Sequence, residues 1–378
     1  MTMKIATLLS LLLAATPMSA QTAPPPAPDA DVTQASGDAA SQASTLTVQS
    51  TLVLVPALVK AKSGQLVYTL TAKDFVLTDN GVVQPLKLEE DTGGEPLALV
   101  VVVQTGGDAR PHLAQYQALA PTLGAVVGDV PHKLAIVSFD SKPTLEQKFS
   151  PDVDKTAGVI ADLPPGDNGA AILDAITYAV GLLRRQPITY RRAILLLSET
   201  LDHGSATRID DALRLIGDTN TAVYSMAFSS TRAETKKEAS KFSSSEPGPV
   251  GGCFAKDPNA DPDTAPSRTV QNYDCVAELL PPLRLAKMAF EAMANNFRRN
   301  VAESVAQLTG GEYYKFHDAK SLESDLVTLS NHVPNRYMLS FHPQNPQPGF
   351  HTIQLKLPDY ANLTIEARNG YWVEEDRK

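Results

Sequence analysis

The sequence predicts an α/β protein: a doubly wound, mainly parallel sheet accompanied by a small β-sandwich built from the N- and C-terminal segments. Two observations carry this. In the middle of the chain, short apolar runs rich in β-branched residues alternate with stretches whose apolar residues recur at spacings of three and four, the signature of strands covered on both faces and linked by amphipathic helices. At the two ends, the pattern changes to the every-second-residue alternation of strands with one wet face.

The elements follow in order. Met1 to Ala20 has Lys4 near its start, an apolar core from Ile5 to Ala15 and small residues near Ala20, the layout of a secretory signal peptide (1–20). The core is too short for a membrane span, and the residue after the expected cut is Gln21 rather than Cys, so no lipid anchor is indicated. Residues 21–45 are rich in Ala, Pro, Ser, Asp and Gln, with too little apolar surface to offset the entropy of ordering, and read as a disordered linker. An N-terminal β segment (46–92) follows. Val53 to Val59 and Val67 to Leu70 read as strands around a Ser63-Gly64 turn, and Asp79-Asn80-Gly81 is a tight hairpin signal between arms Phe75–Leu77 and Val82–Leu88. Such ribbons need partners. The C-terminal segment (333–374) supplies them through Arg336–His342, His351–Leu357 and Leu363–Ala367.

Between these segments, residues 95–332 form the α/β domain. Leu97 to Asp108, LALVVVVQTGGD, is a buried strand running into a small polar turn. Further strands are read at Lys133–Asp140, Arg192–Ser198 and Thr221–Phe228, with a short antiparallel edge strand at Thr144–Phe149. Helices are read at Leu113–Val127, Ala170–Leu183, Arg208–Ile216 and Leu283–Leu308. Ligands of open α/β sheets sit beyond the carboxyl ends of the strands, so the turn after Leu97–Gln104 is the expected ligand face.

The order of these elements, the small polar turn, the DNGAAILDAI segment (Asp167–Ile176) and the LLLSETLDHGS segment (Leu195–Ser205) resemble a von Willebrand factor type A domain, a Rossmann-like fold. With the signal peptide, Lys73-Asp74-Phe75, Tyr337–Leu339, Pro343, Pro346 and Gly370–Trp372, the whole is similar to the related proteins of the acidobacterial type. The resemblance implies a metal-ion-dependent adhesion site: Asp-x-Ser-x-Ser after the first strand, a Thr before a central helix and an Asp after the fourth strand. Here those positions hold Gln104, Gly106, Asp108, Ala170 and Glu199, so the site is degenerate. Gly106 and Ala170 bring no side-chain oxygen, whereas Mg2+ demands near-octahedral oxygen ligation. Gln104, Asp108 and Glu199 are the surviving candidate metal ligands. Ca2+, with its tolerance of irregular shells, is the ion they would suit if Asp167, Asn168 or Asp202 helped.

An insertion at 230–282 is rich in Ser, Pro, Gly and Asp and longer than most connections in compact domains. It contains both cysteines, Cys253 and Cys275. In an exported protein an isolated pair in one loop reads as a disulfide, worth about 3 kcal/mol for a loop of roughly twenty residues.

Catalytic signals are weak. No nucleophile elbow, His-Glu-x-x-His pair, phosphate loop or dinucleotide fingerprint is present. His203 reads as an exposed loop histidine, and Arg184-Arg185, Arg191-Arg192 and Arg298-Arg299 as solvated helix ends. Trp372, Tyr313 and Tyr314 read as core or domain-interface residues. The formal net charge of -9 disfavours nucleic acid and anionic lipid as partners. The expectation is an exported, periplasmic or secreted, non-enzymatic module that binds a protein partner, with no cofactor and no integral membrane segment in the mature chain. The alternative is a Mg2+- or Ca2+-dependent adhesion domain with an altered ion site.

Overall fold

The structure is a computed structural model and describes residues 52–89, 94–116, 119–218, 220–230, 290–291, 293–344 and 346–374. The signal peptide, the linker, most of the 230–282 insertion and the expected Cys253–Cys275 bond lie outside the described residues. Fourteen strands are named in chain order: β1 (Val53–Ala61), β2 (Val76–Asp79), β3 (Val82–Gln84), β4 (Lys87–Leu88), β5 (Leu97–Gln104), β6 (His132–Phe139), β7 (Pro143–Ser150), β8 (Arg191–Glu199), β9 (Thr221–Phe228), β10 (Tyr313–Lys315), β11 (Tyr337–Phe341), β12 (Gly349–Lys356), β13 (Leu363–Ala367) and β14 (Gly370–Val373). The helices named among the described residues are α1 (Leu113–Tyr116), α2 (Leu119–Val127), α3 (Val153–Ala161), α4 (Ile172–Arg184), α5 (Ile209–Gly217), α6 (Val301–Thr309) and α7 (Ala319–His332).

The central sheet has six strands in the order β10-β9-β8-β5-β6-β7, all parallel except the edge strand β7. Strand β5 occupies its middle, with Leu97 paired to Arg191 on one side and to His132 on the other. All eight of its residues are buried. Because side chains alternate across a strand, Leu97, Leu99, Val101 and Val103 pack with Leu119, Leu123, Ile160 and Leu326 from α2, α3 and α7. Ala98, Val100 and Val102 pack the other way, onto Ile176, Val180, Leu213 and Val305 from α4, α5 and α6. Fully burying each valine contributes on the order of 1.5 kcal/mol or more, so two helical layers clamp the strand from both sides.

The terminal segments pair as expected, forming two four-stranded antiparallel sheets, β13-β1-β11-β4 and β14-β12-β2-β3. Both contribute to one core of Val55, Val59, Phe75, Leu77, Leu339, Ile353 and Tyr371. The hairpin turn needs left-handed backbone at Asn80 (φ 48) and Gly81 (φ 84), which suits an Asn-Gly pair. Asn80 Oδ1 secures it by accepting from the Thr352 N–H at 3.0 Å. Trp372 is partly buried against the α4/α5/α6 layer, with the Arg214 guanidinium 4.7 Å from its ring centre, so it does sit between the two parts of the molecule.

Several expected elements differ. Residues Val67–Leu70 form no strand; the chain pairs there only through the isolated Lys60–Leu66 bridge, while the Val67 carbonyl and the Leu70 N–H are taken by the Tyr337 hydroxyl. The arm read as Val82–Leu88 is split, β3 pairing with β2 and β4 crossing to β11 in the other sheet. The helix read as Leu283–Leu308 is interrupted at Asn300 (φ -157), whose side chain caps α6 by accepting from the Glu303 N–H. Arg191 and Arg192 are not a helix end: they open β8. Both Tyr313 and Tyr314 lie in the edge strand β10, half-buried.

A buried charge cluster ties β10 and α7 to the start of the C-terminal β segment. Glu312 Oε2 accepts from Arg336 Nη2 at 2.6 Å, and its Oε1 accepts from the Tyr314 hydroxyl at 2.9 Å and pairs with His332 Nδ1 at 2.8 Å. Burial alone would raise the Glu312 pKa, but the His332 hydrogen bond and the Arg336 charge outweigh it and hold the carboxyl down at about 2. A depressed carboxylate stabilises the fold fully above its unfolded pKa, and that stability is lost as the pH falls through the folded value. The shift from 4.5 to about 2 corresponds to about 3 kcal/mol. Glu312→Gln is therefore expected to lower the unfolding free energy at neutral pH by about that much and to flatten the acid decline below about pH 5, read by urea titrations across pH. An unchanged acid limb would show that the charge cluster contributes nothing.

Candidate functional site

Strand order reverses on either side of β5, so the crevice beyond the carboxyl ends of β5 and β8 is the switch point where such sheets bind ligands. The parallel register that sets Val103 against Leu197 brings the next residues of both strands together there. Gln104 and Glu199 are 0% and 1% exposed. A buried amide and a buried carboxylate each need partners, and they find one another. Gln104 Nε2 donates to Glu199 Oε1 at 3.0 Å and to the Gly106 carbonyl at 3.1 Å, while Gln104 Oε1 accepts from the Glu199 backbone N–H at 2.8 Å. His203 Nε2 pairs with the same Glu199 Oε1 at 3.2 Å. Glu199 Oε2 is buried with no hydrogen-bond partner among the described residues.

Three loops pack around this clasp. In the first, Gly106 leads into a 3-10 segment, Gly107–His112, on which Asp108 is half-buried in the first turn. His112 stacks on Phe228 at the end of β9, with ring centres 4.2 Å apart. The second loop, before α4, lies directly on Gly106: a Cβ there would stand 2.6 Å from the Gly169 carbonyl, 2.6 Å from Asp140 Cβ and 2.9 Å from the Asp167 carbonyl. Backbone bonds sew the two together, Gly107 N–H to the Asp167 carbonyl at 2.8 Å and Gly166 N–H to the Thr105 carbonyl at 2.9 Å. Asp167 Oδ1 accepts from the Ser141 and Gly169 N–H groups, and hydrogen bonding, first with the Ser141 side chain and then with the Gly169 N–H, holds its pKa below the ordinary carboxylate value.

The third loop follows β8. His203 and Ala170 exchange both backbone hydrogen bonds, at 3.0 and 3.1 Å, so His203 is not the exposed loop residue its sequence context suggested. Its side chain is 22% exposed and packs against Glu199. Helix α4 begins after Ala171, which has no capping side chain, and the next loop supplies the cap: Asp202 Oδ1 accepts from the Leu173 N–H at 3.0 Å. Burial pushes the Asp202 pKa up, against the Ser205 hydroxyl bond that pulls it down. Asp174 returns the contact by accepting from the Ala206 and Thr207 N–H groups.

The arrangement does not fit a hard divalent ion. Gln104 turns its oxygen to the backbone and its NH2 group toward the carboxylate, Gly106 and Ala170 have no side-chain oxygen, and no group of three or more His, Cys, Asp or Glu among the described residues could hold a metal. The candidate ligands thus divide: Gln104 and Glu199 are joined, and Asp108 sits on the neighbouring 3-10 segment. The contributions of His203, Asp202 and Asp174 escaped the sequence reading because they depend on how three distant loops meet. The nearest available signal was the Asp-His pair directly after the fourth strand of the α/β domain.

Fold and site together define a doubly wound α/β domain whose switch-point loops are closed by side-chain bonds. No family model and no curated protein matches the chain. Solved structures that resemble it include the conserved hypothetical protein BatB from Bacteroides thetaiotaomicron, 13% identical with TM-score 0.37, over 63% of this chain and 98% of that one. An aerotolerance-related membrane protein from Bacteroides fragilis is 14% identical with TM-score 0.36, over 62% and 98%. The SpRpn10 VWA domain is 16% identical with TM-score 0.30, over 39% and 83%. The fold class stands on the strand order itself.

The tight seat of the second loop on Gly106 has a measurable consequence. Gly106→Ser, which would place a hydroxyl at the first-loop position, is expected to destabilise the chain by about 2 kcal/mol through overpacking without creating Mg2+ affinity. Denaturant unfolding with and without Mg2+ checks both; a stable variant that binds Mg2+ would refute the closed geometry.

Proposed function

We propose that this chain is an exported, non-enzymatic protein-binding or scaffold module that offers the switch-point face of its α/β domain to a protein partner without a bound metal. The observation that carries the reading is the Gln104–Glu199 clasp: the two side chains best placed to reach an ion or a substrate are buried and bonded to one another. A nucleophile or general base must reach a reacting atom, and Glu199, at 1% exposure and bonded to Gln104 and His203, has no such reach. What this face does present is a set of loops held rigid by backbone bonds, which suits recognition by shape. The net charge of -9 argues for a protein rather than a polyanion as partner. Export rests on the leader pattern of Met1 to Ala20, and no helix among the described residues is long and apolar enough to cross a membrane.

The metal-dependent alternative keeps one specific foothold, the unpartnered Glu199 Oε2. Calorimetric titration of the purified chain with Mg2+, Mn2+ and Ca2+ separates the two. The expected result is no binding tighter than about millimolar, and capture of an envelope partner that EDTA does not change. Micromolar affinity for any of the three ions would overturn the metal-free reading.

A further inference from the structure

Inside the terminal β-sandwich, His351 of β12 stands at the centre of a polar cluster drawn from three strands and the turn after β2. It is 5% exposed, and Asp79 of β2 is 6% exposed. His351 Nδ1 lies 2.8 Å from Asp79 Oδ1, 3.2 Å from the Tyr371 hydroxyl of β14 and 3.3 Å from Asn80 Nδ2. Its Nε2 lies 2.7 Å from the Gln347 carbonyl oxygen, in the segment before β12.

These partners restrict where protons can sit. A neutral imidazole has one N–H and one acceptor nitrogen, whereas the imidazolium has two N–H groups. The Gln347 carbonyl can only accept, so Nε2 carries a hydrogen in either state. Tyr371 cannot supply a proton to Nδ1. Its hydroxyl donates to Asp79 Oδ2 at 2.7 Å, and burial raises its pKa, so the proton stays where it is. Asn80 is oriented by Thr352, whose N–H and hydroxyl both donate to Asn80 Oδ1 at 3.0 Å, which turns the Asn80 NH2 group to the ring. Nδ1 therefore faces one acceptor, Asp79 Oδ1, and one donor, Asn80 Nδ2. With a proton it bonds the carboxylate; without one it can accept only from Asn80.

The shorter of these two contacts is the one to Asp79, the arrangement of the charged ring. Asp79 on β2 and Tyr371 on β14 are the titratable groups that face it among the described residues, and Arg368 acts on Tyr371 from the turn before β14. Burial opposes a charge on His351, but the bonds to Asp79 and to the Gln347 carbonyl outweigh it and raise the pKa above the ordinary 6.5.

The contact holds a hairpin. Strand β3 is at the sheet edge and pairs only with β2. The turn between them is gripped by β12 through the Asn80 N–H, which donates to the Thr352 carbonyl at 2.9 Å. Val82 and Val83 on β3 are each 64% exposed, so burial does little to fix that arm.

We propose that His351 is a proton-operated latch on the β2–β3 hairpin: charged, it ties Asp79 to the segment before β12; neutral, it exchanges Asp79 for Asn80 and lets the hairpin open. A folded pKa raised above the unfolded value gives stability that is complete below the unfolded value and is lost as the pH rises through the folded one. The hairpin is thus held on the acid side and loosens as the pH climbs above about 6.5. The latch is separate from the switch-point loops and does not depend on their role.

Nitrogen NMR of the full chain labelled at histidine, together with amide hydrogen exchange, tests this from about pH 5.5 to about pH 9. His351 is expected to carry hydrogens on both ring nitrogens at the acid end, to titrate with a midpoint above 6.5, and to lose the proton from Nδ1. Across that midpoint the amides of β2 and β3 are expected to exchange about tenfold faster than intrinsic chemistry accounts for, with those of β5 unchanged. His351→Gln identifies the resonance and is expected to abolish the step. If that variant does not fold, Asp79→Asn serves: it is expected to move the midpoint of the same resonance down by about one pH unit and the exchange step with it. A midpoint at or below 6.5, a neutral ring protonated on Nδ1, or hairpin exchange without a step at the His351 midpoint would overturn the latch.

Discussion

The structure depends on one constraint: β5 is buried along its whole length and on both faces. An apolar strand meets this condition by packing, and Leu97 to Val103 do so between two helical layers. Gln104 cannot. It is as buried as the valines before it, yet carries an amide with donors and an acceptor to place. The parallel neighbour β8 is equally buried at its end, so Glu199 faces the same problem with a carboxylate. The two groups meet through one side-chain bond and one from the Glu199 N–H, and the Gly106 carbonyl takes a further bond from the amide. The chemistry at the head of the sheet thus follows from burial before any ligand is considered.

The same logic runs outward through the loops. Glycine at position 106 lets the second loop settle on the first, and the second loop in turn exposes the uncapped start of α4 to the third, where Asp202 closes it. An Asp held at a helix amino end is favoured by the macrodipole as well as by its hydrogen bond. Each loop therefore supplies what its neighbour lacks, and a change in one propagates to the others through short polar contacts. Such a head presents a surface whose loops are fixed to one another.

Much of this architecture was legible in the chain. Strands β5, β6, β8 and β9 are continuous apolar runs, and only a sheet covered on both sides accounts for so many of them. Helices α3 and α7 were not read, although Asp152 and Asp318 are capping residues and Leu322, Leu326 and Leu329 follow the helical period. Their polar faces diluted that signal. Strands β10 and β14 are too short to show alternation, and β4 leaves its hairpin for the other sheet, a choice made by the partner β11 rather than by Lys87 and Leu88. At the site, the sequence singled out Gln104, Asp108 and Glu199, but which of them meet depends on register between strands almost a hundred residues apart. The arginines show the same limit more sharply. Two adjacent charges look solvated in a sequence, whereas the structure places both at the start of β8, Arg191 bonded to the Val333 carbonyl and Arg192 to the Gln186 carbonyl.

The two poles of the sheet end in opposite electrostatic states, and the contrast has a structural origin. At the carboxyl ends the polar groups come from the strands themselves and the loops between them, so amide, carboxylate and imidazole are matched within a few ångströms. At the amino ends the groups come from two sheets, the α/β sheet and that of β1 and β11, which meet through arginines on both sides. Arg368 reaches back across this junction to the Gly217 carbonyl at the end of α5 and to the Leu54 carbonyl of β1, so its guanidinium joins the two parts through neutral oxygens, with the Asp218 charge nearby. Joining through carbonyls fixes geometry while leaving charge unspent. An interface built in this way holds the sandwich to the sheet through directional bonds from guanidinium to carbonyl.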